Sequence, residues 1–101
     1  MKKSPTQRTL EKMKKEGYLC AIVEKFNSFI KVRQDLFGFI DILAIREKEI
    51  CGIQATSKSN LSGRINKICT HKNFEAVRKS GIKIIIHGWD EDGDLEERFI
   101  L

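Results

Sequence analysis

The chain has few of the residues that cross-link or break a polypeptide: its 101 residues include three Cys, one Pro and one Trp. The three Cys, at positions 20, 51 and 69, are an odd number and too far apart for paired metal-ligand spacing, which excludes a disulfide-rich secreted fold. We expect small buried thiols in a reducing, cytoplasmic compartment. The basic start MKKSPTQR lacks the apolar run of a secretory signal, and no stretch approaches the roughly 18 apolar residues of a membrane span. No membrane partner is therefore expected.

The chain does have enough apolar sequence for one core, with 41% hydrophobic residues and no repeat or linker, so we predict a single domain over residues 1–101. Its net charge of +5 is segregated along the sequence. Residues 1–16 carry +4, residues 58–79 carry +5 and residues 90–101 carry −5. Two basic segments suit a polyanion such as nucleic acid, although solvated helix faces explain them equally well. The acidic tail is interpreted as a solvated loop.

Local patterns predict an α/β domain with the order α-β-β-β-α-β. Ser4, Pro5 and Gln7 have the form of a helix start with a capping box, and Gly17 marks its end. Strands are predicted at Tyr18–Phe26, Leu36–Arg46, Ile50–Thr56 and Ile82–Trp89, with a polar connection at 27–34, basic helices between 63 and 80 and a short edge strand at Phe99–Leu101. The nearly all-apolar second strand is expected at the centre of a mixed sheet, covered on both faces and flanked by helices.

Asp41 is the one acidic residue within that apolar strand, where an unpaired carboxylate is costly. It is either a satisfied core residue paired with a Lys or Arg, or a ligand of a divalent cation. If Glu47-Lys48 forms a two-residue turn, Asp41 faces Gln54 on the next strand. Directly opposed residues have Cβ atoms about 4.5–5.5 Å apart, and a carboxylate and an amide oxygen on side chains at that spacing can share one hard cation. A three-residue turn would instead bring Ala55 opposite Asp41.

Three further residues complete the candidate site. Asp35 lies on the same alternating face as Asp41, but six extended residues span roughly 20 Å, so it contributes only if the chain bends sharply near Gly38. Glu24, at the end of the first strand, is an alternative extra ligand. Lys58, in the loop after the third strand, can orient a water or neutralise developing charge, unless it is simply an exposed lysine.

The two histidines are interpreted as structural residues. His71 lies in a Thr-His-Lys-Asn stretch typical of a helix boundary, and His87 is expected to pack at a strand end. No Ser/His/Asp or Cys/His arrangement suggests a covalent nucleophile, and the glycines form no phosphate-binding fingerprint.

The segment DLFGFIDILAI, a short turn and CGIQATSKSN resemble the core of the PD-(D/E)XK nuclease superfamily, close to small phage-type proteins and similar to archaeal Holliday-junction resolvases. The resemblance extends from Ser4 to about Trp89 and implies an αβββαβ, restriction-endonuclease-like core. It aligns Asp41 with the metal-binding Asp, Gln54 with the acidic residue of the (D/E)xK element and Thr56 with its lysine. The resemblance therefore covers the fold more fully than the active-site residues.

Where the sequence departs from the superfamily pattern, other residues would take the place of the missing ones. Lys58 would replace the missing lysine from two positions downstream, and Asp35 or Glu24 would restore a second carboxylate. In the resolvases a Glu of the first helix also helps to bind metal, and the matching turn here offers Thr6 or Gln7.

The resemblance implies a Mg²⁺- or Mn²⁺-dependent DNA endonuclease, structure-directed and acting as a homodimer, with an apolar patch around Trp89 as its interface. Asp41, Gln54 and Lys58 would be catalytic, and the metal ligands would be Asp41 and Gln54 with Asp35 or Glu24. Contacts with DNA phosphates are expected from Lys12, Lys15, Arg64, Lys67 and Lys72. The alternative is a weak or inactive nucleic-acid-binding module on the same fold. A third possibility is a protein whose basic helices bind an acidic protein partner.

Overall fold

A computed structural model of the chain describes residues 3–100. The helices are α1 (Pro5–Lys15), α2 (Leu61–Cys69), which follows a 3₁₀ turn at Lys58–Asn60, and α3 (Phe74–Lys79). The strands are β1 (Leu19–Ile22), β2 (Lys25–Asn27), β3 (Val32–Gln34), β4 (Ile42–Arg46), β5 (Glu49–Ser57), β6 (Lys83–Trp89) and β7 (Leu95–Ile100). Five strands form a mixed sheet in the order β1-β4-β5-β6-β7, while β2 and β3 form a separate hairpin. The predicted α/β class with a central mixed sheet flanked by helices is confirmed.

Local signals predicted the helix start and the first sheet register correctly. Ser4 Oγ accepts the Gln7 backbone N–H, and the Gln7 side chain accepts the Ser4 N–H, each at 3.2 Å, which completes the capping box. The β4–β5 turn has two residues, so Arg46 pairs with Glu49 and Ile42 with Ile53. Strands β5 and β6 are parallel, as expected for strands joined through helices.

The sheet separates two apolar clusters. One packs around Met13 of α1 and comprises Met13, Tyr18, Ile42, Ala44, Cys51, Ile53 and Ile85. The other includes residues of α2 and α3 and comprises Phe39, Ile40, Leu61, Ile68, Val77, Ile84 and Ile86. Asp41 directly precedes β4 and Gln54 lies late in β5, so both lie at the same end of the sheet.

Two predicted strands were drawn too long. The strand predicted at Tyr18–Phe26 is divided into β1 and β2, and the predicted polar connection contains β3, which pairs with β2. The strand predicted at Leu36–Arg46 begins only at Ile42, because residues 36–40 form a tight turn in which Phe37 and Gly38 have φ angles of 56° and 93°. Phe39 and Ile40, at the end of that turn, belong to a core cluster without being part of a strand.

Three smaller expectations also need correction. The acidic tail is not a loop throughout: residues 95–100 form the edge strand β7, longer than the edge strand predicted at 99–101, whose last residue lies outside the described residues. Cys51 is buried, but Cys20 is only half-buried and Cys69 is exposed; all three are free thiols. Strand β4 is not fully covered, since Ile45 is partly exposed. Within residues 3–100, no helix is both long and apolar enough to cross a membrane.

Candidate metal and nucleic-acid site

Three carboxylates meet at the end of the sheet. Glu24, Asp35 and Asp41, here called the acid cluster, each offer one oxygen within 4.8 Å of the others. Asp35 reaches Asp41 because the chain reverses at Phe37-Gly38, where Gly38 donates its N–H to the Asp35 carbonyl at 2.9 Å. The sharp bend that the sequence argument required is therefore present, and the 20 Å separation of an extended strand does not apply.

Asp41 is the most buried member of the acid cluster, with 5% of its surface exposed. Its Oδ2 accepts the Ala55 backbone N–H at 3.0 Å. Burial, opposed by that hydrogen bond and reinforced by the nearby carboxyl groups of Asp35 and Glu24, raises the pKa of Asp41 to about 8. The raised pKa favours the protonated form of Asp41, and a divalent cation among these oxygens would favour release of that proton.

Gln54 is buried beside the acid cluster and hydrogen-bonded to Asp35. Its Nε2 donates to Asp35 Oδ2 at 3.3 Å, whereas the side chain of Asp41 is held by the backbone of Ala55. The register does bring Asp41 and Gln54 to the same end of neighbouring strands, as the two-residue turn predicted. The amide thus fixes the position of a carboxylate from another segment.

The acid cluster lines a cavity of about 1250 Å³ with a cationic side. Arg33 pairs with Glu24, with 2.6 Å between Nη1 and Oε1, and lines the cavity together with Arg64 and Lys67 from α2. Thr56 and the first turn of α1, including Thr6 and Gln7, complete the wall. Sequence reasoning missed Arg33; predicting the β2–β3 hairpin would have located it, because that pairing brings Arg33 back beside Glu24.

Two predicted cationic contributors lie elsewhere. Lys58 Nζ lies 3.4 Å from Asp90 Oδ2, in the turn between β6 and β7, and is outside the described lining of the cavity. Lys72 is exposed and follows the end of α2 instead of lying on that helix.

Lys12 and Lys15 line a second, smaller groove of about 410 Å³ together with Trp89. Lys12 is ion-paired with Glu16 of the same helix end, which reduces the charge it offers to an anion. The predicted phosphate contacts therefore divide into two surfaces, and only Arg64 and Lys67 adjoin the acid cluster.

His71 supports the turn that carries Asp35. Its Nδ1 accepts the Asn73 N–H at 3.0 Å at the boundary between α2 and α3, as the helix-boundary interpretation implied. Its ring lies edge-on to Phe39 and so close to Gly38 that a Cβ added there would be 2.3 Å from Nε2. The His71 side chain is thus half-buried and packs against the turn.

A second group of polar side chains lies where α1 packs on β6, with Thr9 and His87 fully buried. Trp89 Nε1 donates to Thr9 Oγ1 at 2.9 Å, Thr9 Oγ1 lies 3.0 Å from His87 Nδ1, and His87 Nε2 lies 2.7 Å from Glu97 Oε2. Because the Glu97 carboxylate can only accept, the proton of the neutral His87 ring lies on Nε2, and Nδ1 accepts the hydroxyl proton of Thr9. Burial lowers the pKa of His87, against the hydrogen bond to Glu97. We call these four residues the His87 network.

Comparisons with known proteins add no relative to this picture. No protein-family model matches the chain, and neither the curated proteins nor the solved structures give a match. The resemblance to the PD-(D/E)XK superfamily therefore stays a prediction that rests on the residues of this chain.

Proposed function

We propose that the protein is a divalent-metal-dependent DNA endonuclease that hydrolyses phosphodiester bonds in branched or otherwise distorted DNA. The observation that carries the proposal is the meeting of three carboxylates, one of them buried, in a large cavity that also has Arg33, Arg64 and Lys67 in its wall. Oxygen ligands suit Mg²⁺ or Mn²⁺, and the cationic wall suits the phosphates on either side of a scissile bond.

The donor set fits a hard cation. Asp41, Asp35 and Glu24 would hold it, since one oxygen of each already lies within 4.8 Å of the others. A bound ion supplies Lewis-acid polarisation of the phosphoryl oxygen and lowers the pKa of an attacking water. The Ala55 N–H keeps Asp41 oriented, and Gln54 does the same for Asp35.

This assignment gives the neutral amide a role. The superfamily pattern has an acidic residue where this chain has Gln54, and the missing charge is supplied in our proposal by Asp35, to which Gln54 donates. The two α2 cations Arg64 and Lys67 would contact phosphates, while Arg33 holds Glu24 in place through their ion pair. We assign no catalytic role to Lys58, because Asp90 pairs with it.

Paired cuts on a symmetric junction require two active sites, so the proposal includes a homodimer. The edge strand β7, which carries the exposed Phe99 and follows the turn after Trp89, is the interface we propose. The free thiols agree with a reducing cytoplasm, which is also part of the proposal.

Cleavage assays test the function directly. Labelled four-way junction, duplex and single-stranded DNA would be incubated with Mg²⁺ or Mn²⁺ and with wild type, Asp41→Asn or Asp92→Asn. We expect junction cleavage that requires the metal, falls at least about 100-fold in Asp41→Asn and is unchanged in Asp92→Asn, an exposed acid remote from the cavity. Equal cleavage by wild type and Asp41→Asn would show that the activity belongs to another site or to a contaminant.

A non-catalytic nucleic-acid-binding module is the second candidate. It is favoured by Thr56 at the position of the superfamily's lysine and by the pairing of Lys58 with Asp90. In that case the carboxylates would still meet but no cleavage would follow. DNA binding that weakens steeply with salt, without cleavage of any substrate in either metal, would establish this alternative.

A further inference from the structure

The β2–β3 hairpin is separate from the main sheet, and hydrogen bonds define the backbone of its tip. Its strands pair with each other in a sheet of their own, Lys25 with Gln34 and Phe26 with Arg33. At the tip, Asn27 Oδ1 accepts the N–H groups of Phe29 and Ile30 at 3.0 and 3.4 Å. This Asx-type turn fixes the backbone that presents Phe29.

The hairpin exposes apolar side chains that contribute little to the fold. Phe29 is 95% exposed, Phe26 63% and Ile30 59%. None of the three belongs to either core cluster. Aromatic surface exposed in this way marks an interaction site.

Charge indicates what the partner is. Residues 25–34 contain Lys25, Lys31 and Arg33 and no acidic residue. The base of the hairpin continues into the cavity wall, where Arg33 and Gln34 lie beside the acid cluster. A ligand that contacts both the hairpin and the cavity wall is therefore a polyanion with flat apolar groups that stack on an aromatic ring. Nucleic acid with unstacked bases has both properties.

We propose that the β2–β3 hairpin is a base-stacking wedge. Phe29 stacks on an unpaired or unstacked base, and Lys25 and Lys31 contact the phosphates beside it. The wedge would position distorted DNA at the acid cluster, which lies at the base of the hairpin. This inference rests on the proposed function for the purpose of the wedge, but the stacking itself is measured as binding and needs no cleavage.

Binding is measured by fluorescence anisotropy in EDTA, so that no metal chemistry intervenes, on a duplex with a central bulge of unpaired bases and on the same duplex fully paired. Phe29→Ala should weaken binding to the bulged duplex by about 5- to 150-fold and to the paired duplex by less than about 3-fold. Phe29→Trp should keep wild-type affinity, since it also stacks. The matched control is Leu19→Ala, an exposed apolar residue on the opposite edge strand β1, which should change neither affinity.

A 2-aminopurine base in the bulge reports stacking directly: its fluorescence should change on adding wild type and not on adding Phe29→Ala. If Phe29→Ala loses the preference for bulged DNA and the wild type cleaves no substrate, the wedge is supported and the proposed function is wrong. Cleavage with no effect of Phe29→Ala on binding would keep the function and overturn the wedge. Phe29-dependent binding to phosphatidylserine–phosphatidylcholine vesicles, or a Phe29-dependent change of oligomeric state, with DNA binding unaffected, would also overturn it.

Discussion

The acid cluster and the His87 network lie next to each other yet are built in opposite ways. Ala55, whose N–H holds Asp41, pairs with His87 on the neighbouring parallel strand. In the His87 network, a single chain of hydrogen bonds runs from Trp89 through Thr9 and His87 to Glu97, with a donor for every acceptor. In the acid cluster, three carboxylates are held close together despite their mutual repulsion.

This difference separates a self-contained polar network from the cluster at which we propose that a cation binds. The His87 network is complete within the protein, so it stabilises the packing of α1 on the sheet and needs no ligand. The acid cluster is complete only when a proton or a cation offsets its charge, and it faces a cavity. The pH responses are opposed as well: the lowered pKa of His87 costs stability as pH falls, whereas the raised pKa of Asp41 costs stability as pH rises.

The largest expected effect comes from opening the His87 network. Thr9→Val keeps the shape of the side chain but removes the hydroxyl, which leaves Trp89 Nε1 and His87 Nδ1 without their shared partner. Because both atoms lie in buried or half-buried positions, we expect the free energy of unfolding to fall by about 2–4 kcal/mol. Urea denaturation measures this change, and metal binding by the folded protein should be unaltered.

Thr70→Val, at an exposed helix end, is the control and should change stability by less than about 0.5 kcal/mol. If Thr9→Val were as harmless as Thr70→Val, the His87 network would not be a stabilising element, and the contrast with the acid cluster would fail.

Gly38→Ala tests the turn that builds the acid cluster. Gly38 has a φ of 93°, and a Cβ there would lie 2.3 Å from His71 Nε2, so the turn must shift and carry Asp35 with it. We expect a loss of about 2 kcal/mol in the free energy of unfolding and, in contrast to Thr9→Val, a weaker stabilisation by Mn²⁺. Thermal melts with and without Mn²⁺ measure both.

Gly63→Ala provides the matched control, because Gly63 lies within α2 with open space around its Cα. It should be neutral or stabilising by up to about 1 kcal/mol. A Mn²⁺-induced shift in Gly38→Ala as large as in Gly63→Ala would mean that Asp35 is not a metal ligand.

What the sequence predicted well depends on neighbouring residues. The capping box at Ser4 follows from a four-residue pattern, and the register that brings Gln54 level with Asp41 follows from the two-residue turn between their strands. Asp41 itself stands out as a charge in an apolar run. These signals led to the α/β fold and to one member of the acid cluster.

The rest depends on chain reversals and distant contacts. The apolar run from Leu36 hid the turn at Gly38, since burial in a strand and burial after a turn leave the same hydrophobic pattern. The β2–β3 hairpin lacks buried alternation because its apolar residues are exposed. Thr9 and His87 lie 78 positions apart, and no local pattern relates them.

The last test removes the charge of Asp41, and its effect depends on pH. Its pKa of about 8 in the folded protein lies above the ordinary 3.8, so the folded state keeps a proton that the unfolded state releases. Without metal, wild-type stability from this group is therefore full below about pH 4 and is lost as pH rises toward 8. Asp41→Asn cannot ionise, so its stability advantage over wild type should be larger at pH 8.5 than at pH 5.5 by at least about 1 kcal/mol, as measured by urea denaturation in EDTA. Added Mn²⁺ should reverse the order by stabilising wild type alone. A stability difference that is the same at both pH values would mean that Asp41 is already ionised, and the acid cluster would then be as self-sufficient as the His87 network.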